Sequence, residues 1–436
     1  MVTQDDLRIA TLGPCGVASP LGKITHRPRK YVTDAERVLH DVAVEGDGPH
    51  SAVGFERAGP REKLFFDPAA SKAAIVTCGG LCPGLNNVIR NLFYTLHDNY
   101  GVPTVLGIRH GYAGLNPAEG EPPLELTHAL VEDIHHKGGT ILGTSRGPQE
   151  PRVTVDFLES QGVNLLFTIG GDGTQKGAHA IADEVARRGS RIAVVGIPKT
   201  IDNDIKFCYR TFGYLTAVAE AERVIDRAHV EARSVPRGVG LVKLMGREAG
   251  FIAAAATIAS GEVNFTLIPE VEFGLKGERG FLAKLGRRVD ARGHAVVVVA
   301  EGAGQHLLPD PSGGKGGVAR DKSGNRKLGD IGPFLQEQIT YHFGRLGRQP
   351  VTVKYFDPSY YIRSSPANAA DSLLTEELAR HAAHAGMAGK TDLLIGLWNG
   401  RAIHVPLVTS CGQVKRLDPE RELWAAVLAT TGQEKW

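Results

Sequence analysis

The sequence predicts an α/β protein of two lobes, each a doubly wound, mostly parallel sheet with helices on both faces, preceded by an N-terminal extension. Three observations carry this expectation. Short β-branched runs recur without polar alternation, as in strands buried on both faces. Segments of helix length separate them, which suits right-handed crossovers between parallel strands. Glycine supplies 54 of 436 residues, well above the usual share of about 7%, and gathers at the ends of the apolar runs. A chain this long, 42% hydrophobic and 22% charged, is expected to bury more than one core, since single cores stop growing near about 250–300 residues.

Residues 1–70 mix proline, glycine and charge without sustained periodicity and read as an extension with a strand or two. From Lys72 the character changes. The expected strands are AAIVTC (73–78), PTVLGI (103–108), VNLLFTI (163–169), RIAVVGI (191–197), VGLVKLM (239–245), HAVVVVA (294–300) and TDLLIGL (391–397). Helices are expected after the glycine turns, at about 84–98, 174–188, 214–229, 247–259 and 366–385. Residues 305–330 are polar, glycine-rich and basic, and read as a long surface loop or lid that orders with ligand. AGKT at 388–391 imitates the end of a Walker A loop, but His384 stands where the first glycine belongs, so it reads as a loop before the next strand. One lobe is expected from 71–213 with 363–415, the other from 214–362 with 416–436.

Composition excludes several classes. Lys and Arg number 50 against 48 Asp and Glu, a net charge of +2, so anion binding is local, and neither nucleic acid nor membrane is an expected partner. No apolar run approaches the roughly 20 residues that cross a bilayer. The opening MVTQDDLRIA carries acids where a signal peptide is basic and then apolar, and a cytoplasmic location is expected. Five scattered cysteines, without a CxxC pair, read as reduced thiols; Cys78 and Cys82 have half of a metal-site spacing and no second pair.

Four segments carry chemistry. In TCGGLCPGLNNVIRNL (77–92), a turn between strand and helix, Gly79, Gly80 and Gly84 let backbone amides approach a phosphate at a helix N-terminus. In FTIGGDGTQKGA (167–178), Gly170, Gly171 and Gly173 leave space for a nucleotide phosphate. Asp172 there offers a hard oxygen for Mg²⁺, and Thr174 is placed to cap the following helix. In GIPKTIDNDIKF (196–207), Asp202 is the candidate base for an attacking alcohol; Asp204 orients it or metal-bound water, and Thr200 can hold the moving phosphoryl group. A plain Asx turn is the bland reading of that segment. In VGLVKLMGREAGFIAAAA (239–256), Met245, Gly246 and Arg247 sit where a strand gives way to a helix; an Arg there opposes the helix dipole unless an anion is present.

In this order and spacing the four segments resemble the phosphofructokinase family, from about Lys72 to at least Arg363. The resemblance implies that the first lobe binds nucleotide and the second fructose 6-phosphate. Gly80, Tyr112 of GIRHGYAGL, Arg146 of GTSRGPQ and Gly171-Asp172-Gly173-Thr174 would surround the nucleotide, with Asp172 on Mg²⁺. Thr200, Asp202 and Asp204 match the family's TIDND, with Asp202 as base; Met245, Gly246, Arg247 and Glu270 of IPEVEF match substrate positions. KYFDPSYYIR resembles the segment for the 6-phosphate, with Lys354 in place of Arg, Tyr360 in place of His, and Arg363 shared. These departures resemble the lineage of pyrophosphate-dependent, trypanosome-type and plant-type enzymes.

An Arg that a neighbouring subunit supplies in the family falls on Gly238, beside Arg237. ATP is the expected donor, because Gly173 stands where pyrophosphate-dependent relatives have Asp; Lys199 resembles those relatives instead and leaves pyrophosphate as the alternative. A homodimer or homotetramer is implied. Diacylglycerol or NAD kinases also carry GGDGT, but leave TIDND and MGR without a role. A regulatory subunit without turnover has no need of both base and metal carboxylate.

Overall fold

The apolar runs become strands because their side chains find cover on both faces: Leu165–Gly170 and Ala193–Pro198 are buried at every residue. The computed structural model describes residues 2–23, 31–43, 52–309, 327–345 and 350–435. In chain order after the extension, the elements are β1 (Lys72–Thr77), α1 (Leu85–Tyr94), β2 (Thr104–Ile108), β3 (Leu124–Glu125), α2 (Pro151–Ser160), β4 (Leu165–Gly170), α3 (Asp172–Arg188) and β5 (Ala193–Pro198). There follow α4 (Tyr214–Arg233), β6 (Gly238–Leu244), α5 (Phe251–Ser260), β7 (Phe265–Leu267), α6 (Phe281–Arg292), β8 (His294–Ala300), α7 (Ile331–Arg345) and β9 (Thr352–Phe356). The chain ends with α8 (Ala369–Met387), β10 (Leu393–Trp398), β11 (Arg401–Pro406) and α9 (Glu422–Thr431).

Two compact units result: Met1–Ile201 with Ile205–Gly213 and Ser364–Gln413, and Asp202–Asp204 with Tyr214–Arg363 and Val414–Trp436. The Asp202–Asp204 segment thus groups with the second unit, although β5 of the first unit delivers it.

The first unit holds a sheet of order β11-β10-β5-β4-β1-β2-β3, parallel in its five central strands and antiparallel at both edges. From β1 the chain moves outward to β2 and later returns to the other side of β1 as β4. That reversal is a topological switch point, and ligands bind outside the carboxyl ends of such strands. The glycine turns of the first two candidate segments follow β1 and β4. The second unit holds a parallel sheet of order β7-β8-β6-β9. Phe265, Phe273, Phe281 and Phe343 pack its core.

Several expectations need correction. The extension carries more than loose strands: Ala10–Thr11 pairs with Lys390–Thr391, Val17–Ala18 with Lys63–Leu64, and Arg37–Leu39 with Gly54–Glu56. AGKT therefore ends in a short strand, and Lys390 is buried with its Nζ 3.1 Å from both Glu56 and Asp34. The expected helix 247–259 starts only at Phe251, because Gly246 takes a φ of 129° and turns the chain first. Most of the expected lid, 310–326, lies outside the described residues; at its base Gly329 N donates to Gln305 Oε1 at 2.9 Å. Among the described residues no helix is long and apolar enough to cross a membrane.

Candidate active site

In the first unit the turn after β1 is held open by glycine. Gly79 and Gly84 take φ of 84° and 102°, and a Cβ on Gly84 would lie 2.9 Å from Thr375 Cγ2. Gly79 N donates to the Ser145 carbonyl at 2.9 Å, and Thr144 Oγ1 donates to Gly79 O at 2.6 Å. The neighbouring Arg146 is thereby carried, exposed, to the rim of the turn. Lys199 is almost wholly buried, and its Nζ donates to the Gly80 carbonyl at 2.6 Å. The ends of β5 and β1 are joined through that ammonium.

After β4, α3 begins at Asp172 with Gly171 as its N-cap. Thr174 is not the cap: it lies inside the first turn, buried against Gly170 where any Cβ would collide with it. Tyr112 is also buried, and its hydroxyl donates to the Thr174 carbonyl at 2.7 Å, so it braces the start of α3 from behind. Gly173 faces open space, with nothing within 4 Å of a Cβ built there. Asp172 is exposed; Oδ1 accepts from Gly412 N at 2.7 Å and Oδ2 lies 2.6 Å from Lys176 Nζ. One exposed carboxylate beside the open space at Gly173 suits Mg²⁺, which takes one or two protein oxygens and completes its shell with phosphate and water. Cys78 and Cys82 are buried free thiols, and the three-residue clusters of metal-ligating type among the described residues, His97 with Asp98 and His128, and His179 with Asp183 and Asp392, contain neither.

The second unit gathers the acid–base and cationic groups. Asn203 adopts a left-handed φ of 56°, which Asn tolerates better than most residues and which sets the course of the chain between Asp202 and Asp204. Burial pushes the Asp202 carboxyl well above its ordinary 3.8, and the negative charges of Asp204 and Glu301 push it further, against the backbone amide and guanidinium of Arg247. Asp204 is anchored through its carbonyl, which accepts from Lys415 N at 2.8 Å. The turn at Met245–Arg247 follows β6; Met245 is buried, and Gly246 O accepts from Gly302 N at 3.0 Å. Arg247 thus sits in a turn before α5, not at the helix start, and the anions beside it are Asp202 and Glu301.

Glu301 is the residue that sequence reasoning missed. It stands directly after β8, and Leu244 and Ala300 are register partners, so the ends of β6 and β8 present Arg247 and Glu301 together. Burial raises the pKa of Glu301, while Arg247, Lys243 and Arg363 favour its ionised form. An acidic residue at the carboxyl end of a parallel strand was the available signal. Glu270, by contrast, accepts from Gly250 N through both oxygens at 3.0 and 3.1 Å, and from Leu417 N at 2.8 Å; it caps α5.

Lys354 lies on β9 with its Nζ 3.9 Å from Glu231. Tyr360 is 81% exposed on the short helix Ser359–Ser364, and the Arg363 guanidinium lies 4.8 Å above its ring. A Cβ on Gly238 would collide with the Ala232 carbonyl, so no side chain fits where the resemblance places a shared Arg. Arg237 is turned onto Asp290 at 2.6 Å within its own unit.

A family model described as phosphofructokinase matches residues 72–386. The ATP-dependent 6-phosphofructokinase of Amycolatopsis methanolica is 47% identical over 442 residues, covering 98% of this chain and 95% of its own. That of Trypanosoma cruzi is 44% identical over 440 residues, covering 99% and 88%. The crystal structure of a pyrophosphate-dependent phosphofructokinase from Marinobacter aquaeolei matches 84% of this chain and 92% of that one with a TM-score of 0.66; at 20% identity it speaks for the fold alone. Spanned by the family model over most of its length and matched almost end to end by such relatives, the chain belongs to the phosphofructokinase family.

Proposed function

We propose that the protein is an ATP-dependent 6-phosphofructokinase of glycolysis, which moves the γ-phosphoryl group of ATP to the 1-hydroxyl of fructose 6-phosphate. The observation that carries this reading is Asp202, a carboxylate that burial lifts well above its ordinary pKa beside the Arg247 guanidinium. A base so tuned accepts a proton more readily than an ordinary Asp. Asp202 takes the proton of the 1-hydroxyl as that oxygen bonds to phosphorus. The bond to the ADP oxygen breaks, and Asp202 later returns the proton to solvent. Arg247 and Thr200 stabilise the charge on the transferring oxygens, and Asp204 holds Asp202 raised and oriented.

The first unit is the nucleotide side, with Gly80, Arg146, Gly171, Gly173 and Lys199 around the phosphates and Tyr112 and Thr174 supporting them. Asp172 is the residue that would hold Mg²⁺, which when bound neutralises charge on the donor phosphates. The second unit is the sugar-phosphate side: Met245 and Gly246 shape the turn, Arg247 and Glu301 face the sugar, and Lys354, Tyr360 and Arg363 face its 6-phosphate. Glu270 supports this side through its cap on α5. A cytoplasmic homodimer or homotetramer belongs to the same reading, as the family resemblance implies.

Lys199 supports a second reading with pyrophosphate as donor, because its ammonium already lies in the glycine turn. Steady-state assays with fructose 6-phosphate and each donor separate the two. The expected result is turnover with ATP, and a loss of at least about 10²-fold in Gly173→Asp, where a new carboxylate would repel the nucleotide phosphates without disturbing the open position. Efficient turnover with pyrophosphate and none with ATP would overturn the assignment.

A further inference from the structure

Lys243 lies on β6, two residues before Met245, with only 12% of its side chain exposed. Its Nζ is 3.0 Å from Asp330 Oδ1 and 2.8 Å from Asp357 Oδ2. Burial disfavours the ammonium, but the two ion pairs outweigh it and hold the pKa above the ordinary 10.5. These acids come from different elements. Asp330 immediately precedes α7. Asp357 precedes the short helix Ser359–Ser364 that presents Tyr360 and Arg363, and it also accepts from Ser359 N at 3.2 Å and Ser359 Oγ at 2.5 Å. Tyr355 of β9 feels the same ammonium, and its hydroxyl packs where a Cβ on Gly332 of α7 would be. One cation therefore joins the end of β6, the start of α7 and the segment after β9.

We propose that Lys243 is a positioning residue that sets the placement of Tyr360 and Arg363 for the sugar 6-phosphate, resting on the assignment of that segment made above. The electrostatics favour a tie of this kind. Asp330 and Asp357 are acids beside a site that receives a phosphate, and without Lys243 they would repel both each other and the incoming dianion. With it, Asp357 is fixed and the short helix that it heads is fixed with it.

The full-length enzyme tests this through a split between the two substrates. In Lys243→Met, the KM for fructose 6-phosphate is expected to rise by about tenfold or more, as for a small misplacement of a binding group. The KM for ATP and kcat are expected to stay within about twofold, and Lys243→Arg to restore most of the loss. Asp357→Asn, on a partner more exposed than Lys243 itself, is expected to show the same split and carries the test if Lys243→Met fails to fold. The double variant is expected to be no worse than the worse single one, because both break one link. Arg363→Ala probes the underlying assignment. If it raises that KM while Lys243→Met and Asp357→Asn do not, the positioning role is overturned and the site stands. If Arg363→Ala leaves that KM unchanged, the sugar-phosphate assignment falls and the proposal with it.

Discussion

In the proposed mechanism Asp202 acts as base only when ionised, so turnover should fall as pH drops through its raised pKa. Desolvation is the largest cause of that elevation, and the charges of Asp204 and Glu301 add to it. Removing one of those charges, in Glu301→Gln, should lower the pKa of Asp202 and move the acid limb of the kcat–pH profile to lower pH. A limb that stays in place, or moves to higher pH, would remove Glu301 from the environment of the base. Asp202→Asn should lose at least about 10²-fold in kcat with fructose 6-phosphate affinity nearly unchanged, as stopped assays and binding titrations would report. The placement of Asp172, Asp202 and Arg247 just beyond strand ends was legible in sequence, because their motifs follow unbroken apolar runs. The left-handed φ of Asn203 and the capping role of Glu270 were not, and for Glu301 the sequence offered only its place after an apolar strand, since the register match between β6 and β8 and two backbone amides appear only once the chain is folded.

The start of α3 is a fitted joint. Gly177 lies one turn into the helix, and a Cβ there would stand 2.6 Å from Tyr112 Cε2, whose ring is locked by the hydroxyl bond to Thr174. Gly→Ala inside a helix ordinarily gains about 0.5–1 kcal/mol. Gly177→Ala should instead destabilise by about 1–3 kcal/mol, because ring or helix must shift. Chemical denaturation checks the sign, and a stabilised variant would show that Tyr112 yields freely. All seven unbroken apolar runs form strands, because burial on both faces writes itself into composition. Shorter or half-exposed elements escaped that signal: β7 has three residues, and β9 is largely half-buried. The β10–β11 hairpin did have a signal, Asn399-Gly400, with φ of 48° and 69° as a tight turn of mirror-image type requires.

At the scale of the whole chain, residues near the start are fastened to residues near the end through a buried cluster in the first unit. Glu56 lies 2.9 Å from Arg61, 3.1 Å from Lys390 and 3.0 Å from His404. Burial works against its ionised form and also lowers the pKa of His404, so it is the His404 hydrogen bond, with the Lys390 charge and hydrogen bond, that outweighs burial and holds the pKa at about 2, below the ordinary 4.5. A depressed carboxyl contributes stability that is present above about pH 4.5 and is lost as pH falls toward about 2. Glu56→Gln should cost about 3 kcal/mol at neutral pH, leaving the buried Arg61 and Lys390 with only the exposed Asp34 as their anion. It should also flatten the acid dependence of Tm in scanning calorimetry, and a variant as acid-sensitive as wild type would refute the linkage. The two units show a different kind of fastening. The chain enters the second unit at 202, leaves at 205, returns at 214, leaves at 364 and returns at 414. Neither unit is therefore a heritable segment: no single recombination or exon transfer can carry one to another protein without fragments of the other. The glycine turns after β1 and β4 and the Asp202 segment are thus bound into one interleaved chain, and neither unit can be cut out as one continuous stretch.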